Sequence, residues 1–365
     1  MPQRTSYRGC LLGMAVGDAM GYTVDSRYWP ESQEDYGPNG LMGYDLVTGY
    51  AEGSSYTQLA AFTCIGLLLG LTRGQMLGKM APFIKYIELS TREWAASQRP
   101  WGRPEKSFCW LLRKRELCQR HCMDTRMLAT LRREKSGSLE VPVNNDSTPA
   151  GLTSAIGVGL FFHKERMEQT EIDRLGAEAV AITHGAPAAF LSGAFLAHLI
   201  SRTLAYPKAP LRKLVLEAAR SIRDQFGHQY SQAFDLANMI RHAVTFAEME
   251  NLKPVEVMER IHCESAAQVL AGAVYACLVS GEDFDRAMIV AVNHSGRSAA
   301  VGAVAGAMLG TRLGEEALPE FYLECLESAD TLRELADDLN HGCPMEMGCR
   351  LFDLDWDYKY LQGGK

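Results

Sequence analysis

A chain of 365 residues, 47% hydrophobic and 22% charged with a net charge of −7, has the composition of a globular protein with a large core. The mild acidity argues against nucleic acid as the main partner, which a basic surface would serve. The longest apolar run, around residues 64–71, falls short of a membrane span, and the first residues lack the apolar core of a secretory signal. No membrane role and a cytoplasmic location are therefore expected.

The first predicted element covers residues 7–20, with apolar side chains at helical spacing and Gly9, Gly13, Ala15 and Gly17 between them. Small residues at this spacing let two helices approach closely. Gly13 to Asp18 is no phosphate loop, because no Lys-Ser or Lys-Thr follows. Residues 29–53, rich in Gly, Pro, Asn and Tyr, read as a long loop. A strongly apolar helix follows at 57–73, then amphipathic helices with basic outer faces at 82–99 and 109–133. Cys109, Cys118, His121 and Cys122 gather in the second of these at a spacing that matches no common zinc module.

A second loop covers 136–151. Helical periodicity then returns over 152–162, 171–182, 187–204, 211–226, 231–249, 254–261, 265–280, 284–292, 298–313 and 319–338. Period-two segments and hairpin signals are missing, which predicts an all-α protein. No linker divides residues 1–365, so a single domain is expected. The ten cysteines, mostly in apolar helical text, read as small buried hydrophobes rather than a disulfide framework; Cys343 and Cys349 bracket a short loop where a disulfide is unexpected in the cytoplasm. The aromatic tail at 351–360 is placed to close over the core.

Five blocks in this order resemble the ADP-ribosylglycohydrolase family. They are Arg8 to Asp25 with its Gly-x-x-x-Gly-x-x-x-Gly-Asp core, Gly49 to Leu59, Pro142 to Leu160, Thr183-His184-Gly185, and Ala291-Val-Asn293-His294-Ser295-Gly296-Arg297-Ser298 continuing to Gly306. The resemblance covers nearly the whole chain and implies a large multi-helix orthogonal bundle. It also implies a site where two magnesium or manganese ions grip ribose hydroxyls and an attacking water. The family's metal positions fall on Ser54, Ser55 and Tyr56 in one motif and on Arg297, Ala299 and Ala300 in the other. Four expected aspartates are thus Ser55, Tyr56, Arg297 and Ala299, a local change of roughly five charge units where opposed unit charges 4 Å apart interact by about 4 kcal/mol. No metal cofactor is expected at these positions.

The acid that ends the first block is Asp25, the candidate acid/base group. Arg297 lies just before a predicted helix start, where backbone amides favour anions. It is placed to bind phosphate, another anion, or an internal acid such as Asp18 or Asp25. Candidate ligand-binding residues are Asp18, Asn145, Asp146, His184, Asn293, Ser295, Gly296, Arg297 and Ser298. His184 reads as a capped structural residue or, less simply, a catalytic one. Three functions remain open at this level. One is a degenerate homologue that binds an ADP-ribose-like or other anionic ligand, or an ADP-ribosylated protein. Another is a metal-free hydrolase of N- or O-glycosidic ADP-ribosyl bonds using Asp25. The last is a structural or interaction protein without a cleft.

Overall fold

The computed structural model describes residues 3–99, 107–122, 124–162, 167–346 and 351–364. Among these residues there is no strand, only an isolated parallel bridge between Ala51 and Leu326. The all-α expectation holds. In chain order the helices are α1 (Gln3–Tyr22), α2 (Trp29–Tyr36), α3 (Ser55–Leu77), α4 (Phe83–Ser97), α5 (Thr125–Leu131), α6 (Ser154–Phe162), α7 (Gln169–Ala181), α8 (Pro187–Ala205) and α9 (Leu211–Phe226). They continue with α10 (Gln232–Glu248), α11 (Pro254–Ile261), α12 (Ala266–Ser280), α13 (Phe284–Val292), α14 (Ser298–Leu313), α15 (Glu320–Cys325), α16 (Ala329–His341) and α17 (Leu354–Tyr360).

The central contact is between α1 and α14. A β-carbon added at Gly13 would overlap the carbonyl of Gly306, and one at Gly17 the carbonyl of Gly302; Gly9 and Gly310 meet in the same way. The reciprocal pairs bring two backbones together face to face, which no larger residue permits. The glycines of the first helix therefore serve packing, as their spacing suggested. They also set the register between the C-terminal end of α1 and the N-terminal end of α14, where the site lies.

The rest of the core forms around this pair as one connected cluster running from Tyr7 to Tyr360. The sequence reading found no run long enough to span a membrane, yet α3 and α8 pass that test by length and mean hydropathy. Their apolar stretches are 100% and 83% buried inside the protein, so they are accounted for as core helices. In α17, Trp356 and Tyr360 are buried, and the Trp356 indole donates to the Thr72 hydroxyl of α3 at 2.9 Å. The tail does close over the core.

Three predicted elements differ from expectation. The loop at 29–53 begins with helix α2, whose first turn carries Pro30 and whose Glu31 side chain accepts the Tyr28 amide at 3.3 Å. The helix expected over 109–133 is two short 3-10 turns followed by α5. Lys114 is extended, and Asp124 starts α5 afresh by accepting the Met127 amide at 2.8 Å. The helix expected over 319–338 breaks into α15 and α16. There Leu326 leaves helical geometry, the Ala51 amide donates to Cys325, and the Glu327 amide donates to Ala51. Tertiary pairing wins over local periodicity at that point. The Cys343–Cys349 pair involves a residue outside the described ones.

Candidate functional site

Four segments converge on one open cleft of about 170 Å3. They are the turn after α1, and the N-terminal ends of α3, α5 and α14; the loop at Thr148–Ala150 closes the wall. The cleft is lined by Asp25, Ser54, Ser55, Tyr56, Arg297 and Ala299, so the starts of α3 and α14 border the same space. Its charged walls carry Asp25 and Asp124 against Arg126 and Arg297, with His121 beside them.

Asp18 anchors the start of α3 to α1. Its carboxylate accepts the Ser54 amide (2.8 Å), the Ser54 hydroxyl (2.6 Å), the Thr57 amide (3.0 Å) and the Thr57 hydroxyl (2.6 Å). Burial pushes its pKa up, and the four donors oppose that by favouring the charged form. Ser54 in turn caps α3 by accepting the Tyr56 amide at 3.2 Å. Asp18 is thus spent on structure and is not the acid that pairs with Arg297.

Asp25 faces α14. Its Oδ1 accepts the Ala299 amide at 3.0 Å, and its Oδ2 accepts the Ser26 hydroxyl at 3.4 Å. Burial is the main influence on this carboxyl and, with the nearby Asp18 charge, raises its pKa to about 6 against the Ala299 amide, Arg297 and Ser26. Arg297 pairs with Glu264 (Nε to Oε2, 3.1 Å) and donates from Nη1 to the Ser26 hydroxyl at 3.0 Å. Ser26 adopts a positive φ of 60°, and its amide binds the Gly296 carbonyl at 3.1 Å. It bridges the acid and the guanidinium. Glu264 reaches Arg297 because His262 and Cys263 both turn through positive φ, 69° and 47°, while the Arg297 amide holds the Cys263 carbonyl at 2.9 Å.

Several predicted ligand residues are engaged elsewhere. Asn293 brackets Leu41, accepting its amide at 2.8 Å and donating to its carbonyl at 2.9 Å. Ser295 binds Glu259 through its amide and hydroxyl and accepts the Trp29 amide at 3.0 Å. The Gly296 amide donates to His294 Nδ1 at 2.9 Å, and His294, buried, has its pKa pushed down to about 4. The Ser298 hydroxyl donates to the His294 carbonyl at 3.4 Å, Ala300 is packed inside α14, and Asn145 is exposed.

Asp146 and His184 instead group with Asp124, each offering a ligand atom within 4.8 Å of the others. His121 binds the Gly53 carbonyl at 2.8 Å and stands 3.6 Å from Glu52. The Cys118 and Cys122 thiols contact separate carbonyls, those of Leu111 and Asp124. The Cys109, Cys118, His121 and Cys122 set therefore forms no metal-ligating group among the described residues. Sequence reasoning missed Asp124, Arg126 and Glu264. Only Asp124 carried a signal, as a helix-capping Asp followed by Thr.

An all-α chain built on a glycine-paired helix couple, with its cleft at facing helix N-termini, defines the structural class. The family model for ADP-ribosylglycohydrolases matches residues 1–347, and the chain belongs to this family. Among solved structures it is similar to an ADP-ribosylglycohydrolase-related protein complex, with a TM-score of 0.57 and 21% identity over 93% of this chain and 99% of that one. At that identity the likeness speaks for the fold alone. No curated protein sequence matches.

Proposed function

We propose that this chain is a ligand-binding member of its family that does not use the paired-cation chemistry at the family's positions, and that its ligand is anionic and ADP-ribose-like. The observation that carries the reading is a cleft that stays open while Ser55, Tyr56, Arg297 and Ala299 line it. Those four side chains offer a hydroxyl, a phenol, a guanidinium and a methyl. A hard divalent cation wants several carboxylate or carbonyl oxygens, so a magnesium or manganese pair does not fit beside Arg297. The same guanidinium and that of Arg126 suit a diphosphate. The existence of the cleft weighs against a purely structural protein.

Calorimetric titration with ADP-ribose tests this. Binding is expected to be the same with and without magnesium, and Arg297→Ala is expected to weaken it by about tenfold or more. Magnesium-dependent release of ADP-ribose from a modified peptide would overturn the reading.

A second reading rests on Asp25, whose carboxyl near 6 lies in the range for a general acid at neutral pH. In a metal-free hydrolysis it would protonate the departing atom while water adds to the anomeric carbon, and Arg297 would stabilise phosphate charge. Turnover unchanged in Asp25→Asn would exclude it.

A further inference from the structure

One wall of the cleft carries a grouping that the family's paired aspartates do not explain. Asp124 stands at the start of α5, Asp146 in the loop before α6, and His184 in the turn between α7 and α8. One ligand atom from each lies within 4.8 Å of the other two. Asp124 and Thr148 line the cleft, so the grouping borders open space.

The hydrogen bonds around it prepare the donors. The Thr183 hydroxyl stands 2.8 Å from His184 Nδ1 and 3.4 Å from the Val180 carbonyl; when it donates to that carbonyl it accepts from Nδ1, and the imidazole proton then lies on Nδ1. In that tautomer Nε2 offers its lone pair to the Thr148 hydroxyl, 3.1 Å away, on the side of the two carboxylates. Fixing a histidine tautomer through its other nitrogen is how metal sites orient their ligands. Asp124 Oδ1 is used by the Met127 amide and Asp146 Oδ1 by the Thr148 amide, which hold both side chains in place; Asp124 Oδ2 meets the Thr148 hydroxyl and Asp146 Oδ2 meets Arg126. Between them the Thr148 hydroxyl sits 3.1 Å from His184 Nε2 and 3.3 Å from Asp124 Oδ2. In that tautomer its single proton cannot serve both acceptors.

We propose that His184 Nε2, Asp124 Oδ2 and Asp146 Oδ2 bind one first-row divalent cation of the zinc class, with a further coordination position open to the cleft. One imidazole with two carboxylates is a borderline donor set, and three protein ligands with an open position is the arrangement of reactive zinc sites. Bonds of about 2.0–2.2 Å require the three atoms to close inward by about an ångström. Burial lowers the pKa of His184, against the pull of Asp146 and Asp124. The competing cation is Arg126, whose exposed guanidinium lies 3.4 Å from Asp146 Oδ2.

The test is calorimetric titration of the full chain with Zn2+ alone, with X-ray absorption spectroscopy of the loaded protein. The titration contains no nucleotide, so its outcome is independent of the ligand reading above. One equivalent is expected, with only nitrogen and oxygen in the first shell. His184→Gln and Asp146→Asn should each weaken binding by at least about tenfold, and Thr183→Val by about tenfold through the lost tautomer control. Arg126→Ala should tighten it, and a Cys118→Ser, Cys122→Ser double variant should bind as the parent does. Circular dichroism checks that each variant folds; if the ligand variants do not, Thr183→Val, Arg126→Ala and the absorption spectrum decide. Sulfur in the first shell, no stoichiometric binding, or unchanged affinity in folded His184→Gln and Asp146→Asn would overturn the proposal.

Discussion

Asp25 accepts the backbone amide of Ala299 at 3.0 Å, so a carboxylate of the chain itself sits at the N-terminal end of α14. Helix starts attract negative charge, and here part of that demand is met from within. Arg297, one residue outside the helix, shares Ser26 with the same acid. The focus of the cleft is therefore a balanced acid–guanidinium arrangement rather than a bare anion hole.

The first prediction concerns pH. Asp25 titrates near 6 in the folded chain against an ordinary value of 3.8. Between those values the folded protein holds a proton that the unfolded chain has released, so this group makes stability fall as pH rises through the window. At pH 7 its ionised form costs roughly 2–3 kcal/mol. Urea denaturation of Asp25→Asn should show a gain of about 2 kcal/mol at pH 7 that vanishes near pH 4. Parallel pH profiles for variant and parent would show that the burial of Asp25 is not felt.

The glycine seam makes a second prediction. Gly306→Ala and Gly17→Ala each drive a methyl into a facing carbonyl, where neither backbone can yield without moving its helix. A loss of about 3 kcal/mol or more is expected for each in urea denaturation. Gly43→Ala, where an added β-carbon meets nothing within 4 Å, should stay within about 0.5 kcal/mol of the parent.

Far from the cleft, His198 and Asp173 form a buried pair at 2.9 Å, and His198 Nε2 has no hydrogen-bond partner among the described residues. Removing one partner leaves a buried polar group alone. His198→Leu should cost about 3–5 kcal/mol, and Asp173→Leu a similar amount. The double Leu variant should recover part of the loss, because neither partner is left alone, while Gln169 and Ser221, which donate to Asp173 at 2.8 and 3.3 Å, still lose their acceptor. Additive losses in the double-mutant cycle would mean that the two groups are not coupled.

Glu264 competes with any external anion for Arg297. Both side chains are partly exposed, at 53% and 39%, so the pair is worth only about 0.2–1 kcal/mol. Glu264→Gln should therefore tighten ADP-ribose binding by about two- to fivefold in calorimetry, and high salt should narrow the gap. Weaker binding in this variant would assign Glu264 to holding Arg297 in place.

Most of the helices were legible in the sequence because their apolar residues recur at helical spacing and because Ser54, Ser265 and Asp283 cap them locally. The family blocks led to Asp25, Ser55, Tyr56, Arg297 and Ala299, which the fold does gather in one cleft. The partners of these residues were not legible. Glu264 reaches Arg297 through two left-handed residues that no propensity favours, and Asp124 reaches Asp146 and His184 only after a break in what reads as one helix.

By itself the sequence determined that this chain is all helix and that glycines mark one intimate helix contact. These are local properties, set by spacing and residue type. The tertiary structure alone decided that Asp18 is consumed by Ser54 and Thr57, that Arg297 answers to Glu264, and that Asp124 joins Asp146 and His184. Charges find partners by distance in space, and that distance exists only after the helices have packed.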